Sequence, residues 1–141
     1  MADGHDAAGT FDSARARAMW MDGTGGRFWD AGRLLHALLT EPAGWKCLGL
    51  TATPRRVLEL GAGTGDLALA LCTDPHFSRG LERYYATDVE GRVAAMQRRI
   101  HLPDAVRAVP LRWGDEVLDV AEDDDGTERV VDLILASDCL Y

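Results

Sequence analysis

The chain has 141 residues, of which 47% are hydrophobic and 27% are charged, and its formal net charge is −8 at pH 7. This length supplies the core of one domain. The acidic balance argues against a nucleic-acid partner, because nucleic-acid-binding proteins normally present a basic face. Cys47, Cys72 and Cys139 are odd in number and widely spaced, which fits neither a disulfide framework nor a zinc site. We therefore expect one domain without a metal.

The amino-terminal segment shows no pattern typical of a targeting signal, so we expect no signal peptide. Residues 1–10 contain no apolar run, and no stretch of the chain approaches the roughly 20 apolar residues that span a bilayer. Residues 1–26 are rich in Gly, Ala and Asp and lack a sustained period, which predicts a flexible arm. We expect no membrane association and a cytoplasmic location, with the nucleus as a second one.

The remaining sequence alternates between helical and strand patterns. Leucines at positions 34, 35, 38 and 39 follow helical spacing after Trp29, and Pro42 lies just beyond the predicted end of that amphipathic helix. Strands are predicted at 56–60, 83–87, 105–112 and 130–136, and helices at 66–72 and about 91–100. The unbroken apolar run at 130–136 predicts a strand buried on both faces. This alternation indicates an α/β fold with a parallel, doubly wound sheet.

A glycine-rich turn follows the first predicted strand. Gly61, Gly63 and Gly65 alternate between that strand and a helix, a pattern typical of a nucleotide-cofactor turn. Glu59 precedes the turn and Asp66 follows it, and two carboxylates would repel a dinucleotide's diphosphate. A cationic cofactor without phosphate, S-adenosylmethionine, suits the same site, and a nicotinamide-dependent oxidoreductase is disfavoured.

The other strand ends carry further candidates, each with a structural alternative. Asp88 lies about 20 residues past the turn, where a carboxylate can accept hydrogen bonds from both hydroxyls of a ribose. The structural alternative is that Asp88 caps the next helix. Trp113 either stacks on an adenine or fills the core. Asp138 either orients a cationic amine or makes a structural hydrogen bond. The acidic run 122–125 is a solvated loop or, as the minority interpretation, a docking segment for a basic substrate.

Taken together, these motifs resemble those of one enzyme family. They comprise Phe-Trp-Asp-Ala at 28–31, Val-Leu-Glu-Leu-Gly-Ala-Gly-Thr-Gly at 57–65, Thr-Asp at 87–88, Arg-Trp-Gly at 112–114 and Asp-Leu-Ile-Leu-Ala-Ser-Asp-Cys-Leu-Tyr at 132–141. The combination is similar to class I methyltransferases of family 16, which are mostly protein-lysine methyltransferases with substrates among elongation factors, chaperones and calmodulin. The resemblance covers about residues 27–141, and it implies the amino-terminal part of such a domain.

The resemblance also implies roles for individual residues. Asp138 and Tyr141 would position the target amine of a protein lysine as the catalytic pair. The residues implied to bind S-adenosyl-L-methionine are Trp29 near the methionine end, Glu59, Gly61, Ala62 and Gly63 around the amino acid and ribose, Asp88 at the ribose hydroxyls, Trp113 at the adenine and Ser137 at the rim. Since methyl transfer is an in-line displacement, alignment of the two reactants supplies most of the acceleration and no dedicated base is required.

The family's fold normally continues beyond a fourth strand, whereas this sequence stops at Tyr141. We expect strand order 3-2-1-4 with the carboxy-terminal strands missing, which leaves an apolar edge on the fourth strand. The predicted function is an S-adenosylmethionine-dependent protein-lysine N-methyltransferase. Two alternatives stay open: a small-molecule N-methyltransferase on the same fold, and a non-catalytic module that binds a partner chain through the open edge.

Overall fold

The structure, a computed structural model, describes residues 30–99, 101–114 and 130–137. Its helices are α1 (Asp30–Thr40), α2 (Pro42–Cys47), α3 (Asp66–Thr73) and α4 (Glu90–Arg99), and a short 3₁₀ helix spans Ser78–Gly80. Its strands are β1 (Arg56–Leu60), β2 (Arg83–Asp88), β3 (Val106–Pro110) and β4 (Leu133–Ala136). Helices and strands therefore alternate from β1 to β3, as the sequence predicted.

The four strands form a parallel sheet in the order β3-β2-β1-β4, which confirms the predicted α/β class and strand order. β1 lies inside the sheet, where Glu59 is in register with Ala86 of β2 and Leu135 of β4. The chain moves outward from β1 to β2 and β3, and then returns to the other side of β1 with β4. The order of the strands thus reverses between β1 and β4, the position at which sheets of this type bind ligands.

The main core lies on one face of the sheet. Alternation along the strands directs Val57, Tyr84 and Leu135 to this face, where they meet buried side chains of all four described helices. The helix residues in this cluster are Leu39, Trp45, Leu67, Ala68, Leu71 and Met96. A smaller cluster of Leu58, Tyr85 and Leu111 occupies the opposite face. Burial of the first face fixes the register of β1 and β2, because a slip of one residue would expose its apolar side chains.

The strand predicted at 105–112 is shorter, Val106–Pro110, and two other elements differ more from their predictions. The strand predicted at 130–136 is shorter, and the expectation that it is buried on both faces is wrong: only Leu135 is buried, and Ile134 on the opposite face is 60% exposed. The described helices contribute their buried residues to the Leu135 face, which leaves the Ile134 face with fewer contacts. Pro42 starts a second helix instead of only ending the first, because proline fits the first turn of a helix.

Several predictions fall outside the described residues. These are the flexible arm at 1–26, the acidic run at 122–125, Trp29, Asp138 and Tyr141. The arm and the start of the domain at about residue 27 stay predictions. Among the residues that the structure describes, no helix has the length and apolar character to cross a membrane.

Candidate functional site

The glycine turn connects β1 to α3 at the carboxyl end of the sheet. Gly61, Gly63 and Gly65 have φ values of 68°, 57° and 78°, in the left-handed region that glycine adopts without a Cβ clash. The turn is anchored to β2, because the amide of Ala62 donates to the carbonyl of Thr87 at 2.9 Å. Gly65 immediately precedes α3, so the amides of the first helical turn point toward the same region.

Asp88 contacts this turn directly from the end of β2. Its Oδ2 accepts a hydrogen bond from the amide of Gly63 at 2.8 Å, and its Oδ1 accepts from the amide of Val89 at 2.7 Å. Neither bond is the contact that a helix cap makes with the first turn of α4, so the capping alternative does not describe Asp88. A carboxylate has about four acceptor positions. Two amides therefore leave capacity for hydroxyl groups of a ligand.

Glu59 lies beneath the turn, on the helix-covered face of β1. Its side chain is buried, and Oε2 accepts a hydrogen bond from the hydroxyl of Tyr84 at 2.9 Å. The pKa of Glu59 is raised from 4.5 to about 7: desolvation by burial is the largest cause, the Tyr84 hydrogen bond opposes it, and the charge of Asp88 adds to it. The carboxyl group is therefore close to half ionised at neutral pH.

The two titratable neighbours of Glu59 on this face keep their protons. Burial raises the pKa of the Cys72 thiol to about 12, and the nearby Glu59 charge contributes to that rise. Burial and the same carboxylate raise the pKa of Tyr84 well above its ordinary value. Near pH 7, Glu59 is consequently the member of this trio that changes its charge.

Trp113 and Ser137 follow the carboxyl ends of β3 and β4, at the same edge of the sheet as the turn. The amide of Leu111 donates to the carbonyl of Asp88 at 2.8 Å, which brings the segment that leads to Trp113 beside Asp88. Trp113 is 48% exposed, so the alternative that it fills the core is wrong. Ser137 is half-buried and directly follows β4, next to the end of β1. The structure thus gathers the described candidates at one edge of the sheet.

The charges around the turn have the same sign. Asp66 lies in the first turn of α3 and accepts a hydrogen bond from the Thr64 hydroxyl, while Glu59 and Asp88 approach from the strands. A carboxylate in the first turn of a helix is favourable for the helix. Together, however, these three acidic side chains oppose a ligand with a diphosphate and favour one with positive charge.

Two residues of the site were not predicted from the sequence. Tyr84 supports the Glu59 carboxylate, and the Thr87 hydroxyl donates to the carbonyl of Glu59 at 2.6 Å. The alternation of β2 places Tyr84 on one face, which is a signal in the sequence. Tyr84 reaches Glu59, however, only because of the register in which β1 and β2 pair, and the sequence pattern of either strand does not reveal that register.

The fold and the site have the features of a Rossmann-like, class I methyltransferase fold: a parallel sheet in the order 3-2-1-4, a glycine turn after the first strand and an acidic residue at the end of the second. The sequence matches the model of the lysine methyltransferase family over residues 12–141, and the chain belongs to this family. It is 33% identical over 130 residues to the protein-lysine N-methyltransferase EFM6 of Saccharomyces cerevisiae, with 84% of this chain and 52% of the relative covered. The chain therefore spans about half the length of that relative.

Proposed function

We propose that this chain forms the S-adenosyl-L-methionine site of a protein-lysine N-methyltransferase. The observation that carries the proposal is the hydrogen bond of 2.8 Å between Asp88 and the Gly63 amide, which joins the acidic strand end to the glycine turn. Membership in the lysine methyltransferase family supports the reaction class. The activity for which the yeast relative is named supports a lysine side chain of a protein as the methyl acceptor.

The described residues suit this cofactor chemically. The turn from Gly61 to Gly63 allows close approach of the ligand, because its positive φ positions carry no Cβ. Asp88 has acceptor capacity for two ribose hydroxyls, and the exposed indole of Trp113 offers a stacking surface for adenine. The negative charge of ionised Glu59 would attract the ammonium group of the cofactor's methionine part. Ser137 would border the pocket from β4.

When bound, the cofactor would supply a methyl group on its sulfonium: the lone pair of a neutral lysine amine would attack the methyl carbon in line, the carbon–sulfur bond would break, and the thioether S-adenosylhomocysteine would leave. This chain's residues bind and orient: the strand ends hold the cofactor, and Asp138 and Tyr141 are proposed to position the target amine. Both of these residues lie outside the described part of the chain, and their roles rest on the family resemblance. Alignment of the two reactants accounts for most of the rate acceleration in such a displacement.

Calorimetric titration with S-adenosylhomocysteine tests the cofactor site. We expect the wild-type chain to bind and Asp88→Ala to bind at least about 100-fold more weakly, because hydrogen bonds to a charged carboxylate contribute about 1.5–3 kcal/mol each. Circular dichroism first establishes that both chains are folded. Equal binding by Asp88→Ala, or no binding by a folded wild-type chain, would contradict the proposal.

Asp74→Ala is the matched control for this titration. The Asp74 carboxylate also accepts two backbone amides, those of His76 and Phe77, both at 2.9 Å, but it follows the carboxyl end of α3, away from the glycine turn. The control therefore removes a carboxylate with the same kind of backbone contacts. It should leave S-adenosylhomocysteine binding unchanged, which separates loss of the site from general loss of structure.

Methyl transfer by the complete protein tests the acceptor class. With cofactor labelled on its methyl group and a protein extract as acceptor, we expect label in methyl-lysine of protein bands. Asp138→Ala should reduce this incorporation at least about tenfold, since misplacement of the amine forfeits the alignment that drives transfer. Label found in small molecules and absent from protein would instead favour the small-molecule N-methyltransferase. A cytoplasmic location stays a prediction beside this proposal.

A further inference from the structure

Tyr84 and Glu59 form a buried pair directly below the glycine turn. Tyr84 is fully buried in β2, and its hydroxyl donates to Glu59 Oε2 at 2.9 Å. The Thr87 hydroxyl holds the backbone of the same glutamate by donating to its carbonyl at 2.6 Å. Glu59 is therefore fixed at its side chain and at its backbone by two residues of the neighbouring strand.

In the part of the chain that the structure describes, the titratable groups that act on Glu59 come from two elements. Tyr84 and Asp88 approach from β2, and Cys72 approaches from α3. On the other side of β1, the residue in register with Glu59 is the apolar Leu135. Tyr84 and Cys72 are neutral near pH 7, and Asp88 opposes ionisation of Glu59. Of these groups, the Tyr84 hydroxyl is the one that favours the ionised carboxylate.

We propose that Tyr84 is a positioning residue of the cofactor site, which holds the Glu59 carboxylate oriented and ionised below the glycine turn and thereby strengthens binding of a cofactor with an ammonium group as the pH rises. This inference rests on the proposed function. Because Tyr84 is fully buried and its hydroxyl is bonded to Glu59, it would act on the cofactor through Glu59.

The sign of the pH effect follows from linkage. A ligand cation binds better to ionised than to protonated Glu59, so its affinity rises with pH until the carboxyl group of the free protein is fully ionised. The pKa of Glu59 in the free protein is about 7, so the rise occurs up to and through that pH. Without the Tyr84 hydroxyl, the carboxylate loses the hydrogen bond that lowers its pKa, and the rise moves to higher pH.

The experiment is calorimetric titration of the whole chain with S-adenosylhomocysteine between about pH 5.5 and about 8.5 for wild type, Tyr84→Phe and Tyr85→Phe. In Tyr84→Phe we expect the midpoint of the affinity rise to move upward by about one pH unit. Binding should then be about fivefold weaker at pH 7, and the difference from wild type should nearly vanish at the upper end of the range. Circular dichroism verifies that each variant is folded.

Tyr85→Phe is the matched control. Tyr85 is the next residue of the same strand and is also buried, but it belongs to the smaller cluster on the opposite face of the sheet. Its hydroxyl accepts a hydrogen bond from Arg56 Nη1 at 3.3 Å. The variant thus removes a buried hydroxyl from β2 without touching Glu59, and the pH midpoint should not move.

A second readout observes the carboxyl group without any cofactor. In chains with ¹³C-labelled glutamate side chains, the Glu59 signal is the one missing from Glu59→Gln, and its titration midpoint should rise in Tyr84→Phe. An unmoved midpoint, or an affinity loss in Tyr84→Phe that is the same at every pH, overturns the inference and leaves the proposed function standing. Absence of S-adenosylhomocysteine binding by the folded wild-type chain overturns the proposed function itself.

Discussion

The two ends of the parallel sheet hold their charged residues in opposite ways. At the amino end, Glu82 pairs with Arg55 and approaches Arg56 Nε at 3.5 Å. Asp132, just before β4, accepts hydrogen bonds at 2.8 Å from the amides of both Arg55 and Arg56. Opposite charges and free backbone donors are thus satisfied where β1, β2 and β4 begin. This end of the sheet is organised to hold its strands in register.

The carboxyl end instead brings acidic side chains together. Glu59 and Asp88 are held by a hydroxyl and by backbone amides, which orient the carboxylates without cancelling their charge. Their mutual repulsion contributes to the raised pKa of Glu59. An arrangement of like charges that costs stability is typical of a functional site, because a ligand of opposite charge relieves it. The same strands therefore carry, at their amino ends, the contacts that hold the sheet in register and, at their carboxyl ends, the proposed cofactor site.

Removal of the Glu59 charge is the strongest test of whether the carboxyl end of the sheet lowers stability. A folded-state pKa above 4.5 means that native Glu59 keeps a proton that the unfolded chain has lost, so wild-type stability falls as the pH rises from 4.5 to about 7. Glu59→Gln should abolish this fall. We expect the variant to gain, relative to wild type, about 3 kcal/mol in free energy of unfolding across that window, measured by urea denaturation at a series of pH values.

Asp132→Asn makes the same acid-to-amide change at the amino end of the sheet, and its effect on the free energy of unfolding should be opposite in sign. The Asp132 carboxylate accepts two amides, and charged acceptors bind more strongly than neutral ones. We expect its free energy of unfolding at about pH 8 to fall by about 1 kcal/mol. If both variants changed stability in the same direction at that pH, the contrast between the two ends would be wrong.

Much of the fold is contained in local sequence patterns. The run Val57-Leu58-Glu59-Leu60 followed by alternating glycines predicted β1 and the turn within a residue of their positions, because strand propensity and the need for positive φ are local properties. The strand order followed from the family resemblance. The meeting of Asp88 with the turn followed from the rule that parallel strands present their carboxyl ends at one edge.

Other features depend on contacts between distant segments. Tyr84 reached Glu59 through the register of β1 and β2, which residue spacing within either strand does not reveal. The exposure of Ile134 also depends on which elements cover each face, whereas an unbroken apolar run only shows that burial on both faces would be tolerated. The helix that begins at Pro42 was not predicted from the sequence, because a proline can follow the end of one helix and also occupy the first turn of another.

A pair of glycine substitutions separates backbone strain from ligand binding within the turn. Gly63→Ala introduces a Cβ at φ 57°, which costs about 1–2 kcal/mol of stability, at the position whose amide binds Asp88. We expect about tenfold weaker S-adenosylhomocysteine binding as well, because the Cβ keeps the ligand from the backbone.

Gly49→Ala is the control: its φ is 71° and no atom lies within 4 Å of the added Cβ, so it carries similar strain. Gly49 follows α2, away from the turn, and its substitution should leave affinity unchanged. Equal affinity losses in the two variants would mean that the turn acts only through global stability, and the functional assignment of the carboxyl end would lose its support.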